Sequence, residues 1–415
     1  MTSSRACRRL ALWAAVLAGC ASPVPPPAAP GAPSALPASA AAAVTETRAP
    51  VASAAASAVA APASPAPLRV ARLALGTNYS VALLSDGTVM AWGLAQFSSI
   101  TLDGKAGHPT PVRVPGIDHV AQVGVGEDFA CVLGEDRRVT CWGRDWDQWT
   151  RGRHSTAAVV HGEHVAELGV AGRHGCALGP GGSVDCWGST LSGGSAGSAT
   201  FQRIAVAGDR VCGIKADQTV WCWGLKLGRE WEYWPREGYE PYASDLPMRA
   251  RGLAGVRSLA GSTSHLCAIV EGGEVQCLGF GEHGQLGNGK YGAPYAEIVA
   301  TKAIGLTDAE ELAVGSSFTC ARTRDGKVWC WGANGAGQLG LGDAKQRTTP
   351  TPVPGLADVV QLAAGDDYAC AVRASGEVLC WGGNAYGQLG TGDHLARSVP
   401  VPVKGLPPDF REVGG

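Results

Sequence analysis

The 415-residue sequence lacks an apolar run long enough to cross a bilayer as a helix. Its N-terminal apolar stretch, Leu10–Leu17, falls well short of the roughly 20 residues that a span needs. It also lacks an excess of either charge. Lys and Arg number 34 against 36 Asp and Glu, a formal net charge of −2, so there is no electrostatic footprint for DNA or chromatin. No H-E-x-x-H or P-loop pattern occurs, which removes the motif-level case for a zinc protease or a P-loop nucleotidase. From Ala21 to Pro67 there is no aromatic residue, and Glu46 and Arg48 are nearly the only charges. A segment of Ala, Pro, Ser and Val without apolar periodicity cannot build a core, and it reads as a disordered, Pro-stiffened tether. Fully extended at about 3.1 Å per residue it would reach roughly 150 Å.

What precedes the tether has the layout of a secretory signal. Arg5, Arg8 and Arg9 form a basic segment ahead of the apolar stretch, which ends in Leu17-Ala18-Gly19-Cys20. That ending resembles a bacterial lipobox. The resemblance implies cleavage before Cys20 and lipidation of its thiol, and Ala21 after it points to the outer membrane. The alternative is an ordinary secreted protein with a chance cysteine near its cleavage site. Cys7 lies in the part that would be discarded.

Twelve of the fourteen cysteines fall into six pairs of identical spacing. Cys131 and Cys141, Cys176 and Cys186, Cys212 and Cys222, Cys267 and Cys277, Cys320 and Cys330, and Cys370 and Cys380 are each ten positions apart. Five pairs run directly into Trp-Gly, as in Trp142-Gly143 and Trp381-Gly382, and the pair ending at Cys277 runs into Leu278-Gly279. A device repeated along a chain indicates a repeat protein, and paired cysteines indicate an oxidising compartment. A seventh unit opens the series, with Val81 and Ala91 at the two cysteine positions. The pair is missing together and no thiol is stranded, which argues that the two positions bond to each other elsewhere.

The spacing fits a hairpin. Cys320 and Cys330 are centred on Asp325, so direct opposition needs an odd-numbered loop. A three-residue loop Arg324-Asp325-Gly326 would place its last residue in the left-handed region that glycine favours. Glycine holds this place at Gly87, Gly182, Gly273, Gly326 and Gly376, and Arg137 and Gln218 hold it in the other two units. With Thr323 and Lys327 as the hydrogen-bonded closing pair, the cysteines form a non-hydrogen-bonded pair, where side chains approach closely. A helical hairpin is disfavoured by the central glycine and the flanking Val and Thr. Zinc is disfavoured because single pairs supply too few ligands.

Each hairpin follows a short apolar strand such as Val359–Ala364. Most repeats add a Pro-spaced segment such as 349–353 or 399–403, which reads as an outer edge strand because alternate prolines cannot donate to a ladder. Four strands in each of seven units predict an all-β, seven-bladed propeller from residue 68 to 415, after a signal peptide (1–19) and a lipidated tether (20–67). The tail Asp409–Val413 resembles the start of a further first strand.

Segments 281–287, 335–340 and 386–393, with their Gly-Gln-Leu-Gly cores, resemble the repeat of the regulator-of-chromosome-condensation (RCC1) family. The resemblance spans Leu68 to about Val403 and is most specific in the last three units. It implies a seven-bladed β-propeller, and no enzymatic activity follows from it. The best-known family function is nucleotide exchange on a Ran-type GTPase. That would not suit an exported, disulfide-bearing chain, which could not meet a cytosolic GTPase. The paired cysteines depart from the eukaryotic members and suit an exported bacterial branch.

Candidate sites are few. His161 and His164 form a metal-like pair in what reads as a solvated loop. Glu127, Asp128, Asp209, Asp366 and Asp367 follow the first-strand glycine and would face one end of the propeller, either as turn residues or as the carboxylates of a carbohydrate-active enzyme. The units without Gly-Gln-Leu-Gly carry aromatic connections instead, Trp146 and Trp149 in one, and Trp231, Tyr233, Trp234, Tyr239 and Tyr242 in another. Aromatics mixed with Arg and Glu on a rigid scaffold suit recognition of a protein or glycan. The same rings could instead pack over their own blades. The expectation is a monomeric, membrane-anchored, non-catalytic binding platform with no cofactor, metal or nucleic acid, and a glycosidase or lyase is the alternative.

Overall fold

Six hairpins are closed by disulfides at the positions the spacing predicts. In the computed structural model, Cys131–Cys141, Cys176–Cys186, Cys212–Cys222, Cys267–Cys277, Cys320–Cys330 and Cys370–Cys380 are bonded, with Cα atoms 4.0–4.1 Å apart. The described residues are 67–94, 101, 107–144, 153–161, 164–188, 196–208, 210–224, 244–291 and 297–407. Cys20, the signal segment, the tether to residue 66 and the tail 408–415 lie outside them.

The turn geometry follows the loop argument. Thr323 N donates to Lys327 O (2.9 Å) and Gly326 N to Thr323 O (2.9 Å). The third loop residue has positive φ in all seven units, at Gly87, Gly182, Gly273, Gly326 and Gly376 and also at Arg137 (65°) and Gln218 (59°). Val81 and Ala91 face each other in the same register as the cysteine pairs.

The strands group into seven antiparallel sheets in chain order. Blade 1 holds β1 (Val70–Leu75), β2 (Tyr79–Leu84), β3 (Val89–Leu94) and β4 (Gly107–Arg113). Blade 2 holds β5 (Val120–Val125), β6 (Phe129–Gly134), β7 (Val139–Arg144) and β8 (Arg153–His161). Blade 3 shows three strands among the described residues, β9 (Glu167–Ala171), β10 (His174–Leu178) and β11 (Val184–Gly188). Blade 4 holds β12 (Arg203–Ala207), β13 (Arg210–Ile214), β14 (Val220–Gly224) and β15 (Ser244–Arg249). Blade 5 holds β16 (Val256–Gly261), β17 (His265–Val270), β18 (Val275–Gly279) and β19 (Glu297–Lys302), with a 3-10 turn at Glu271–Gly273. Blade 6 holds β20 (Ala309–Val314), β21 (Phe318–Thr323), β22 (Val328–Gly332) and β23 (Arg347–Pro352). Blade 7 holds β24 (Val359–Ala364), β25 (Tyr368–Arg373), β26 (Val378–Gly382) and β27 (Arg397–Pro402). The Pro-spaced segments are outer edge strands, β23 beside β22 and β27 beside β26. Among the described residues no helix is long and apolar enough to cross a membrane.

First strands neighbour one another in sequence around the axis, and the ring closes where β24 packs against β1. Both blades at this seam are four-stranded from contiguous sequence, so closure rests on side-chain and backbone packing between them. Tyr368 of blade 7 donates its hydroxyl to Tyr79 O (2.6 Å), and Leu73 N donates to Gln361 Oε1 (3.2 Å). The core is divided among the blade interfaces. At each interface the half-hidden face of one sheet meets the next, as where Trp381 and Phe318 close the space between blades 6 and 7. A glycine follows six of the seven first strands and permits this contact, and in blade 5 Ser262 takes its place. A Cβ on Gly315 would fall within the ring of Phe318 and 2.7 Å from Gly365 O of the next blade.

Candidate functional site

At the end of the ring opposite the cysteine hairpin tips, two kinds of segment meet. The short turns between first and second strands reach the axis, and the longer connections between third and fourth strands lie outside them. Gly-Gln-Leu-Gly builds the second kind in blades 5, 6 and 7. The buried Gln338 side chain bends back so that Oε1 accepts Ala336 N (2.9 Å). Gln388 repeats this with Tyr386 N (2.9 Å), and Gln285 with His283 N (2.9 Å). Asn334 ties the rest of its loop down, donating to Asp343 O and Lys345 O, both at 3.0 Å. Arg347 then pairs with Asp343 at 2.8 Å. Asn384, Asp393 and Arg397 reproduce the arrangement in blade 7.

Between these loops and the inner turns lies a crevice of about 650 Å³. Thr77 and Asn78 line it from blade 1, Ser316, Ser317, Gln338 and Gln346 from blade 6, and Asp366 and Asp367 from blade 7. His283 contributes from blade 5. Among the described residues no Lys or Arg lines it. It adjoins a central channel of about 490 Å³ walled by first-strand residues such as Leu75, Val125, Val206 and Leu362, with Glu127 and Asp366 at its mouth.

The carboxylates of the first-strand turns do converge on this end. Burial pushes the Asp366 carboxyl above its ordinary pKa, the Thr77 hydroxyl opposes the shift, and the nearby charges of Asp367 and Glu127 reinforce it. Burial also raises Asp367, against a backbone hydrogen bond. Gly383 leaves room for this carboxylate, since a Cβ there would meet the Asp367 side chain. Glu127 is paired across the mouth with Arg173 of blade 3 at 2.9 Å. Asp128 sits close enough to Tyr79 to contribute to raising its hydroxyl, after burial as the main cause.

The remaining sequence candidates divide. Asp209 lies outside the described residues, as do Trp146, Trp149, Trp231, Tyr233, Trp234, Tyr239 and Tyr242. The strands that bracket the aromatic segments, β7 with β8 and β14 with β15, occupy the places that β22 and β23 occupy in blade 6. His164 is exposed at positive φ (75°), and among the described residues no three His, Cys, Asp or Glu gather as a metal site. Sequence reasoning missed Gln338, Ser316, Ser317, Thr77 and Asn78. Four of these follow the first-strand glycine directly, the position from which the carboxylates were singled out. Gln338 was in view only as part of a repeat motif.

Models of the regulator of chromosome condensation (RCC1) repeat match residues 325–372 and 375–413, and again 310–338 and 359–388. Protein pim1 of Schizosaccharomyces pombe is 23% identical over 294 residues, 66% of this chain and 49% of pim1. The ultraviolet-B receptor UVR8 of Arabidopsis thaliana is 34% identical over 137 residues, 32% of this chain and 29% of the receptor. The chain thus spans half or less of these curated relatives. Among solved structures, Prp20p of Saccharomyces cerevisiae superposes with a TM-score of 0.66 at 18% identity, covering 81% of this chain and 87% of Prp20p. The ectodomain of the Physcomitrella patens receptor kinase CR4 gives a TM-score of 0.50 at 21% identity, covering 76% and 74%.

Proposed function

This chain belongs to the RCC1 repeat family, and we propose that it is a non-catalytic binding platform, anchored to the bacterial outer membrane through lipid on Cys20, for a protein or glycan ligand of the cell envelope. RCC1-like propellers are generally protein-binding or exchange-factor scaffolds. Prp20p, for one, has binding properties to Gsp1p and histones. The observation that carries the reading is the contrast between the two ends of each blade. At one end, hairpins of fixed length are stapled by six disulfides. At the other, the connections between third and fourth strands differ from blade to blade in length and chemistry. Variable segments on a rigid frame are the usual bearers of recognition. Disulfides also suit an oxidising compartment, where a cytosolic GTPase would not be met.

The test is recovery of a partner from native envelopes on the immobilised, oxidised protein. Trp234→Ala should weaken capture by about 2 kcal/mol or more while leaving the denaturation midpoint unchanged. Loss of folding without a separate binding defect would instead make the ring a packing residue. Cys20→Ser should release the protein from the membrane or leave it unprocessed, and normal processing with retention would end the lipid-anchor reading.

One observation favours a second reading, a carbohydrate-active enzyme. Asp366 and Asp367 both have raised carboxyl pKa values beside an open crevice, as a general acid requires. Turnover of a polysaccharide that collapses in Asp366→Asn or Asp367→Asn would replace the platform reading.

A further inference from the structure

Four of the six cystines are sealed from water and two are not. Both cysteines are fully buried in Cys131–Cys141, Cys267–Cys277, Cys320–Cys330 and Cys370–Cys380. In blades 3 and 4 only the first cysteine of each pair, Cys176 and Cys212, is buried. Their partners Cys186 and Cys222 are partly exposed. The two cysteines face each other in the same register in all six hairpins, so the difference lies in what covers them.

In blades 5, 6 and 7 the cover is the leucine of Gly-Gln-Leu-Gly. Leu286, Leu339 and Leu389 are buried, and each packs in one apolar cluster with the cystine of its own blade. Blade 2 lacks the motif, but Val160 of β8 and Trp187 of the next blade pack against the cluster that holds Cys131 and Cys141. Blades 3 and 4 also lack it, and there Cys186 and Cys222 lie at the margins of their clusters. Loss of the leucine and exposure of the second cysteine thus coincide in two adjacent blades.

We propose that Cys176–Cys186 and Cys212–Cys222 are sites of thiol–disulfide exchange with a dithiol reductant, and that the other four cystines are inert in the folded protein. A thiolate of the reductant attacks Sγ of Cys186 or Cys222 and forms a mixed disulfide. The Sγ of Cys176 or Cys212 leaves as thiolate and takes up a proton. The second thiol of the reductant, once deprotonated, attacks the reductant's own sulfur in the mixed disulfide and releases Cys186 or Cys222, which is protonated in turn. The net transfer is two electrons and two protons to the protein, and the reductant departs as a disulfide. A dithiol is needed because the expelled Cys176 or Cys212 stays beside the mixed disulfide and would otherwise close it again. A buried cystine offers a thiolate no such approach and is reduced only after unfolding. Reduction therefore loosens the β10–β11 and β13–β14 hairpins while blades 5 to 7 stay closed. None of these steps depends on the binding-platform reading.

The experiment is pulse alkylation of the oxidised full chain during exposure to dithiothreitol without denaturant, with peptide mass spectrometry to place each label. Cys176, Cys186, Cys212 and Cys222 should be labelled about ten-fold faster or more than the cysteines of the other four pairs, as accessible cystines are against buried ones. Leu339→Ala removes the cover in blade 6 and should bring Cys320–Cys330, and no other pair, into the fast class. Amide hydrogen exchange, followed on protein in which the two fast pairs alone are reduced, should quicken in β10, β11, β13 and β14 and stay unchanged from β20 to β27. Three results overturn the proposal: one rate common to all six pairs, a fast class made of other pairs, or exchange in blades 3 and 4 that reduction leaves unchanged. A folded Leu339→Ala protein in which Cys320–Cys330 stays slow would also count against it, by removing the leucine as the cover. The order of rates is read on wild-type protein, so it stands even if the variant fails to fold.

Discussion

The indole nitrogen of Trp331 donates to the carbonyl oxygen of Gln285, 2.8 Å away in the preceding blade. Trp381 meets Gln338 O at 2.9 Å in the same way, and Trp92 meets Gln388 O at 2.8 Å across the closing seam. Trp-Gly and Gly-Gln-Leu-Gly are therefore two halves of one lock that joins successive blades. A Ser or Thr hydroxyl completes it, with Thr319 donating to Gln285 O (3.0 Å) and Ser80 to Gln388 O (2.9 Å). Blade 4 has no Gly-Gln-Leu-Gly, and blade 5 carries Leu278 where the Trp would stand. At this joint the two halves are lost together, whereas Trp142, Trp187 and Trp223 stand in blades whose predecessors also lack Gly-Gln-Leu-Gly.

Trp331→Phe keeps most of the apolar bulk but removes a buried donor from Gln285 O. The cost should be about 2–3 kcal/mol, combining lost packing with a weakened hydrogen-bond network. Guanidinium unfolding with the disulfides intact measures it. A change below about 0.5 kcal/mol would mean that the lock contributes nothing to stability.

Gly365→Ala tests the ring seam by sterics alone. The new Cβ would enter the ring of Tyr368 and lie 2.6 Å from Gly76 O of blade 1, so the cost should be about 3 kcal/mol or more. Gly355→Ala is the control: φ is 69°, but no atom lies within 4 Å of the added carbon. It should cost only the left-handed strain, about 1 kcal/mol. Equal losses in the two variants would contradict the close-approach account.

Much of this frame was legible in the chain because it repeats. Seven copies of one hairpin exposed the disulfide register, the turn type and the outer Pro strands, and Val81 with Ala91 acted as an internal control. The inter-blade lock was not legible. Trp331 and Gln285 are 46 positions apart, and each reads locally as part of its own blade's motif. The first-strand carboxylates were noticed, but that Asp366 and Asp367 share a crevice with Thr77 of blade 1 and Ser316 of blade 6 depends on the order of blades around the ring, which one sequence does not display. Gln338 was hidden for a different reason. Its backbone carbonyl accepts from Trp381 of the next blade while its side-chain Oε1 accepts from Ala336 N of its own loop, so one residue has two roles.

His265 occupies the place that Tyr368 takes in blade 7 and Phe318 in blade 6. It is buried, and Nε2 lies 2.7 Å from Thr319 Oγ1, whose own proton goes to Gln285 O. Nε2 must then be the donor, and Nδ1 faces the hydroxyls of Ser262 and Ser264. Burial pushes the imidazole pKa down to about 3 from an ordinary 6.5. Because the folded value is depressed, the unfolded chain binds the extra proton first. Stability should fall as pH drops below 6.5 toward 3, by about 1.4 kcal/mol per pH unit through the middle of that window. Raised carboxyls at Asp366 and Asp367 act in the opposite sense, but they are common to wild type and variant. Subtracting the His265→Phe unfolding curves from wild type between pH 7 and pH 4 should isolate the slope, and equal slopes would show that His265 is not held neutral.

Val81 and Ala91 provide the most direct test of the hairpin argument. They are directly opposed in β2 and β3, both fully buried, at the register that brings the six cysteine pairs to 4.0–4.1 Å between Cα atoms. Blade 1 therefore needs only the sulfurs. The double substitution Val81→Cys with Ala91→Cys should oxidise spontaneously under oxidising conditions to a seventh disulfide, making the protein two hydrogens lighter than its dithiol form. Closing a loop of about ten residues contributes roughly 2–3 kcal/mol in the chain-entropy account. Truncating Val81 removes about 1 kcal/mol of packing. The net gain should be about 1–2 kcal/mol, read as a higher guanidinium midpoint that reverts on reduction. Val81→Cys alone should lose stability and leave one thiol that titrates only after unfolding. Two additional titratable thiols in the unfolded double variant, relative to wild type treated alike, would mean that the shared register does not by itself determine the bond.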